Sequence, residues 1–171
     1  MLWSFFHYPV IRSFIFRFIF IFVGMELLLY WFPPIGYQTW IATQIGNLLH
    51  VSVDQTFLGV EGSFFEISAF CSGFTTFALF AGLVLGFNVP SVERKIRLLI
   101  SGGLFIFALN FIRIYFVVWI GKMYSIGAAE AVHVLSWFVL SALVMGLWFL
   151  LMKKETGART QRELARRLIG N

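Results

Sequence analysis

One cysteine, one arginine inside an apolar stretch and one histidine are the residues of this sequence best suited to chemistry: Cys71, Arg113 and His133. A cysteine attacks as its thiolate, and a neighbouring histidine or cation favours that form. A histidine can take the thiol proton and return it to a leaving amine. A guanidinium stays protonated, so it can instead donate hydrogen bonds to a developing oxyanion. Together these residue types predict acyl transfer by a thiol peptidase or transpeptidase.

The surroundings of these residues add supporting candidates. Ser72 and Gly73 follow the cysteine, where a helix N-terminus would favour a thiolate and a glycine permits close backbone approach. Asn110 lies one turn before Arg113, and it either orients the guanidinium or makes an interhelical hydrogen bond. A charge within a span costs at least ~2.5 kcal/mol, so Arg113 is expected to have a functional or pairing role. Glu26 lies at a similar depth, and we predict that it forms an ion pair with Arg113.

The composition requires a membrane to position these groups. The chain has 171 residues, of which 60% are hydrophobic and 12% charged, and its mean hydropathy is +0.87. A chain of this size cannot hide so much apolar surface in a soluble core. We therefore predict an all-α integral membrane protein that forms a single membrane domain over residues 1–171. Four apolar stretches approach the length of about 20 residues that a spanning helix needs. They cover about 13–32, 72–89, 98–121 and 132–152.

The distribution of charge predicts the orientation. All but two of the 13 Lys and Arg residues fall on one side of the predicted spans, and the positive-inside rule makes that side cytoplasmic. Both termini, with the basic tail 153–171, would then face the cytoplasm from a multi-pass position in the cytoplasmic membrane. The outer segment, 33–70, would carry a short amphipathic helix around Ile41–Leu49 and a β-hairpin over Thr56–Ile67. Because the basic residues follow the spans, no nucleic acid partner is expected.

The same topology predicts where the active site lies. Cys71 and His133 would each open a span that descends from the outer face, and Arg113 lies in the span that climbs towards it. All three can therefore meet at the outer face of the bilayer. No cofactor and no metal are expected, because one cysteine cannot form a thiolate cluster, the three histidines lie at different faces, and no phosphate-binding glycine loop is present.

The ordered motifs resemble those of the exosortase and archaeosortase family. They are Phe70-Cys71-Ser72-Gly73, then Asn110-Phe111-Ile112-Arg113-Ile114, and finally His133, and the resemblance covers roughly residues 56–151. It implies a transpeptidase-like enzyme that acts on exported proteins with a C-terminal motif, a transmembrane helix and a basic tail. It also implies a nucleophilic role for Cys71, a stabilising role for Arg113 and the third catalytic position for His133.

A different class of function is open on the residues alone. The chain could be a non-enzymatic membrane assembly or scaffold protein, in which a structural Glu26–Arg113 pair holds the spans together and Cys71 is incidental. A transporter is less favoured, because the ionisable residues gather at one face and do not line a path across the membrane.

Overall fold

The computed structural model describes residues 9–60, 62–158, 160, 163–164 and 168. Over these residues the chain is mostly helical and carries one small antiparallel sheet, which confirms the predicted fold class. The elements, in chain order, are α1 (Pro9–Trp31), α2 (Ile35–Leu49), β1 (Ser52–Asp54), β2 (Phe57–Val60), β3 (Ser63–Glu66), α3 (Phe74–Gly86), α4 (Val92–Met123) and α5 (Ile126–Thr156).

Three of these helices, α1, α4 and α5, are long and apolar enough to cross a membrane. The segment predicted to span at 72–89 instead forms α3, an apolar helix of 13 residues. Such a helix is only about 20 Å long, whereas the hydrocarbon core is about 30 Å thick. Its length has local causes. Gly73 adopts a positive φ of 97° immediately before α3, and Pro90 disfavours helical conformation in the residue that precedes it.

Helix α3 lies against α1. Gly82 and Gly86 face the rings of Phe18 and Phe14, and an added Cβ would come within 2.9 Å and 2.8 Å of those rings. Further along, the Thr75 hydroxyl in the first turn of α3 donates to a carboxylate oxygen of Glu26. The two helices therefore run side by side in opposite directions, and the turn that leads into α3 is held level with Glu26 in α1.

A small layer formed by α2 and the sheet covers one end of α4. The strands pair in the order β1-β2-β3, and the second pair is the hairpin predicted at Thr56–Ile67. The strand β1 was not predicted, and Glu61 in the hairpin turn lies outside the described residues. The buried residues of this layer and of α4 form one apolar cluster: Ile41, Ala42, Ile45, Leu49, Leu58, Val60, Ile67, Ile114 and Val118. Leu48, also in α2, is not part of this cluster and is 59% exposed.

A second apolar cluster lies towards the other ends of α3, α4 and α5. It includes Phe80, Val84, Leu98 and Met152. The tail contributes Ala158, Leu164 and Leu168, although most of the predicted basic tail beyond residue 158 lies outside the described residues. The polar groups around Arg113 lie between the two apolar clusters.

Candidate active site

Cys71 lies in the turn that joins β3 to α3. Its backbone N–H donates to the Ser68 carbonyl oxygen at 3.1 Å, and its thiol is partly exposed. Because α3 begins at Phe74, Cys71 precedes the helix by three residues and does not open a span as predicted. Ser72 is fully buried and its hydroxyl donates to the Ala69 carbonyl oxygen, so this hydroxyl holds the turn together.

Asn110 of α4 connects this turn to the arginine. Its amide N–H donates to the Cys71 carbonyl oxygen at 2.7 Å, and its amide oxygen accepts from Nη1 of Arg113 at 2.9 Å. The side chain is 1% exposed, so both hydrogen bonds are shielded from competing solvent. The sequence left two alternatives open for Asn110, orientation of the guanidinium or an interhelical bond. The structure contains the contact with the guanidinium, and the second bond goes to the turn before α3 rather than to another helix.

Arg113 is 8% exposed and its contacts fix the plane of its guanidinium. Besides the bond to Asn110, Nε donates to the Ser136 hydroxyl oxygen at 2.9 Å, and Nη2 lies 3.4 Å from Nδ1 of His133. The Ser136 hydroxyl in turn donates to the His133 carbonyl oxygen at 2.7 Å. The arginine is therefore held by α4 and α5 together, beside the histidine.

His133 faces the cysteine across the gap between α5 and the turn. Its Nε2 lies 3.9 Å from the Sγ of Cys71, and the indole N–H of Trp137 donates to the same nitrogen at 3.2 Å. Because an indole nitrogen can only donate, this contact favours the tautomer in which Nε2 is unprotonated and Nδ1 carries the ring proton. Nη2 of Arg113, also a donor, lies 3.4 Å from Nδ1 and 3.5 Å from Nε2, so it does not distinguish the two tautomers. The nitrogen that faces the thiol is thus the one able to accept its proton.

The three predicted site residues therefore come together, but at a different level from the one expected. His133 lies seven residues after the start of α5, and Arg113 lies ten residues before the end of α4. At 1.5 Å per residue the cluster is about 10–15 Å from those helix ends. The sequence placed His133 at the start of a span because hydropathy alone did not reveal that α5 begins at Ile126. The cluster is recessed between the helices.

The predicted ion pair between Glu26 and Arg113 is not formed. The contacts of the guanidinium go to Asn110, Ser136 and His133. One carboxylate oxygen of Glu26 accepts from the Thr75 hydroxyl at 3.4 Å, and the other is buried without a hydrogen-bond partner among the described residues. The prediction was wrong because similar depth does not fix which way two helices face. The structural pair that the scaffold hypothesis needs is therefore missing.

Two residues of the cluster, Ser136 and Trp137, were not singled out from the sequence. They follow His133 by three and four positions, so they lie on the same face of α5 one turn further on. This helical spacing was the available signal. Trp137 contacts two members of the cluster, since its indole N–H donates to His133 and Cζ of Arg113 lies 4.9 Å from the centroid of its ring.

A groove of about 160 Å³ runs between α4 and α5 beside the cluster. Arg113 and Ser136 contribute its polar lining, and the rest is apolar: Leu109, Ile112, Phe116, Val132, Val139, Leu140 and Leu143. The groove therefore reaches Arg113 from the surface of the helix pair, whereas Cys71 and His133 do not line it. Within the described part of the chain, no group of three or more His, Cys, Asp and Glu residues is placed to hold a metal ion.

The chain was compared with protein families, curated proteins and solved structures. The family model described as transmembrane exosortase matches residues 1–152, a range that contains every residue of the cluster. No curated protein and no solved structure matches the chain.

Proposed function

Because the chain belongs to the transmembrane exosortase family, we propose that it is a cysteine transpeptidase or peptidase that cleaves the C-terminal sorting signals of exported proteins. It is a multi-pass membrane protein, and the family implies a transpeptidase-like function. The observation that carries the finer proposal is the distance of 3.9 Å between Sγ of Cys71 and Nε2 of His133, with the buried Arg113 beside the histidine.

The first step is nucleophilic attack. Nε2 of His133 takes the thiol proton of Cys71, and the resulting thiolate forms a bond to the carbonyl carbon of the scissile peptide. The surrounding donors favour this direction of transfer. The described polar contacts of Nε2 are the indole N–H of Trp137, the guanidinium of Arg113 and the thiol, so the thiol is the one that can surrender a proton to it.

Arg113 stabilises the negative charge that develops on the carbonyl oxygen. A guanidinium carries five N–H groups. Nε uses its own for Ser136 and Nη1 uses one for Asn110, while Nη2 faces His133. One N–H on each terminal nitrogen is left for an oxyanion within the described contacts. Donors that are held in place before the reaction stabilise a transition state more than donors that must reorient.

Collapse of the tetrahedral intermediate breaks the C–N bond. His133 returns its proton to the departing amine, and the N-terminal part of the substrate stays on Cys71 as a thioester. An amine or water then attacks the thioester and passes its proton to Nε2 of His133. The C–S bond breaks, and the thiolate takes that proton back, which restores the starting state.

Membership of the family supports a proposal for the substrate class. We propose that the substrates are exported proteins with a short C-terminal motif, a transmembrane helix and a basic tail, cleaved at the outer face of the cytoplasmic membrane. The apolar groove between α4 and α5 supports approach from the lipid, because it is lined by Arg113 and by side chains compatible with a hydrophobic helix. The basic residues that follow the spans support cytoplasmic termini.

Co-expression with candidate tail-bearing proteins tests the proposal. The native chain is expected to release a truncated substrate whose new carboxyl end is identified by mass spectrometry, and Cys71→Ala is expected to abolish release while it still inserts in the membrane. Release that continues unchanged with Cys71→Ala contradicts cysteine catalysis. If no candidate tail is cleaved by the native chain, the substrate assignment is wrong.

A further inference from the structure

Trp137 touches the proposed base and the proposed oxyanion stabiliser at once. Its indole N–H donates to Nε2 of His133 at 3.2 Å, and its ring lies under the guanidinium of Arg113 with Cζ 4.9 Å from the centroid. The indole and imidazole planes meet at 68°, an edge-on arrangement that lets the N–H point at the ring nitrogen. No step of the mechanism above requires a tryptophan at this position.

The hydrogen bond has a chemical consequence because of the atom that it engages. Nε2 is also the nitrogen that faces the thiol of Cys71. A hydrogen-bond donor at this nitrogen stabilises the unprotonated ring. Once the ring has taken the thiol proton, the indole N–H faces the new Nε2–H and has no acceptor there. The titratable or charged side chains in described contact with the ring are Cys71, from the turn before α3, and Arg113, from α4. Of these two side chains, only the thiolate of Cys71 can accept a hydrogen bond from the new Nε2–H.

We propose that Trp137 is a positioning residue whose indole N–H favours the unprotonated form of Nε2 of His133, and which thereby promotes transfer of the proton onward to the leaving amine. The inference rests on the cysteine mechanism proposed above. During attack the proton moves from Sγ to Nε2, and the indole N–H loses its acceptor. When the proton passes to the amine as the C–N bond breaks, Nε2 is free again and the indole hydrogen bond re-forms.

A simple packing role predicts something different. An aromatic side chain in a membrane helix is often no more than apolar bulk, and phenylalanine would then replace it without consequence. Phenylalanine keeps an aromatic face for the guanidinium but removes the N–H. The substitution Trp137→Phe therefore separates the two roles.

Trp148→Phe is the matched control. Trp148 lies on the same helix, and its indole nitrogen is buried with no hydrogen-bond partner among the described residues. Its ring stacks on Phe87 at 6.0 Å, away from the cluster. Both substitutions remove the same atoms from α5, but only the one at 137 removes a hydrogen bond.

Two measurements on each purified full-length variant in lipid nanodiscs provide the test. The first is the rate of alkylation of Cys71 by iodoacetamide as a function of pH, and the second is kcat and KM for cleavage of a tail-bearing substrate. Without the indole N–H, the ring takes the thiol proton more readily but releases it less readily. Trp137→Phe should therefore raise the alkylation rate at neutral pH by about three- to tenfold and lower kcat by a similar factor, with KM unchanged. Trp148→Phe should leave both rates at native values.

A faster alkylation together with a lower kcat identifies the proposed role of Trp137, because damage to packing lowers both the alkylation rate and kcat. The proposal is overturned if Trp137→Phe matches Trp148→Phe in both measurements, or if alkylation and turnover fall together. His133→Gln distinguishes failure of this inference from failure of the proposed function. If His133→Gln alters the pH profile of alkylation and Trp137→Phe does not, only the role of Trp137 is wrong. If neither alters it, the coupling between Cys71 and His133 fails as well.

Discussion

Gly73→Ala is expected to slow cleavage about tenfold while it leaves the protein folded. Gly73 has a φ of +97°, and a Cβ built on it would lie 3.2 Å from three atoms of the Asn110 side chain. At this separation the neighbour must move by a few tenths of an ångström. Asn110 cannot move without disturbing its bonds to the Cys71 carbonyl at 2.7 Å and to Arg113 at 2.9 Å. The substitution therefore acts on the coupling between the nucleophile and the arginine.

The size of the effect follows from these contacts. Alanine at positive φ costs about 1–2 kcal/mol in stability. The charged hydrogen bond between Asn110 and Arg113 is worth about 1.5–3 kcal/mol, and loss of half of the upper value from the transition state slows the reaction roughly tenfold. Gly62→Ala is the control for backbone strain. Its φ is +80° and an added Cβ meets nothing within 4 Å, so it shares the strain without the contact.

The assay compares the two variants in the same membranes. Substrate cleavage is followed with time and normalised to the amount of enzyme, and thermal unfolding in detergent gives stability. Both variants should lose similar stability, and only Gly73→Ala should lose activity. Equal activity of the two variants would refute the argument that Gly73 makes room for Asn110.

Four further predictions use the same cleavage assay. Ser136→Ala removes the acceptor for Nε of Arg113 and should lower the rate about tenfold, whereas Ser141→Ala, at an exposed position of α5, should be silent. Arg113→Lys should lower the rate at least a hundredfold, since one ammonium cannot reproduce three fixed nitrogen contacts, and near-native cleavage would contradict the planar donor role. Glu26→Gln should stay within about threefold of the native rate, because an amide oxygen can still accept from Thr75. Exchanging Glu26 and Arg113 should abolish cleavage. A doubly exchanged protein that functions like the native one would instead favour the scaffold hypothesis.

The approximate fold and the meeting of Cys71, Arg113 and His133 could be predicted because both depend on hydropathy and on helix direction, which can be derived from the order of residues along the chain. Hydropathy locates apolar helices, and alternating helix directions bring residues at similar depth to the same level. Asn110 was available from the sequence for a similar reason, since three positions separate it from Arg113 on one helix face.

The wrong predictions concern the rotation of helices about their axes and the residues at which helices begin and end. The partner of Glu26 depends on which face α1 presents to α3, and the sequence does not fix that rotation. The short length of α3 depends on local backbone conformation at Gly73 and before Pro90, which a hydropathy window averages away. Helical spacing placed Trp137 on the same face as His133. Its contact with Arg113, however, arises only from the packing of α4 on α5.

The central claim is that Cys71 carries the acyl group between the two halves of the reaction. The most direct measurement is the intact mass of the enzyme after acid quenching during turnover of a tail-bearing substrate. The account predicts an added mass equal to the N-terminal acyl part of the substrate, located on Cys71, released by hydroxylamine and absent from Cys71→Ala. Cleavage at the native rate by Cys71→Ala, with no adduct on the native enzyme, would contradict it.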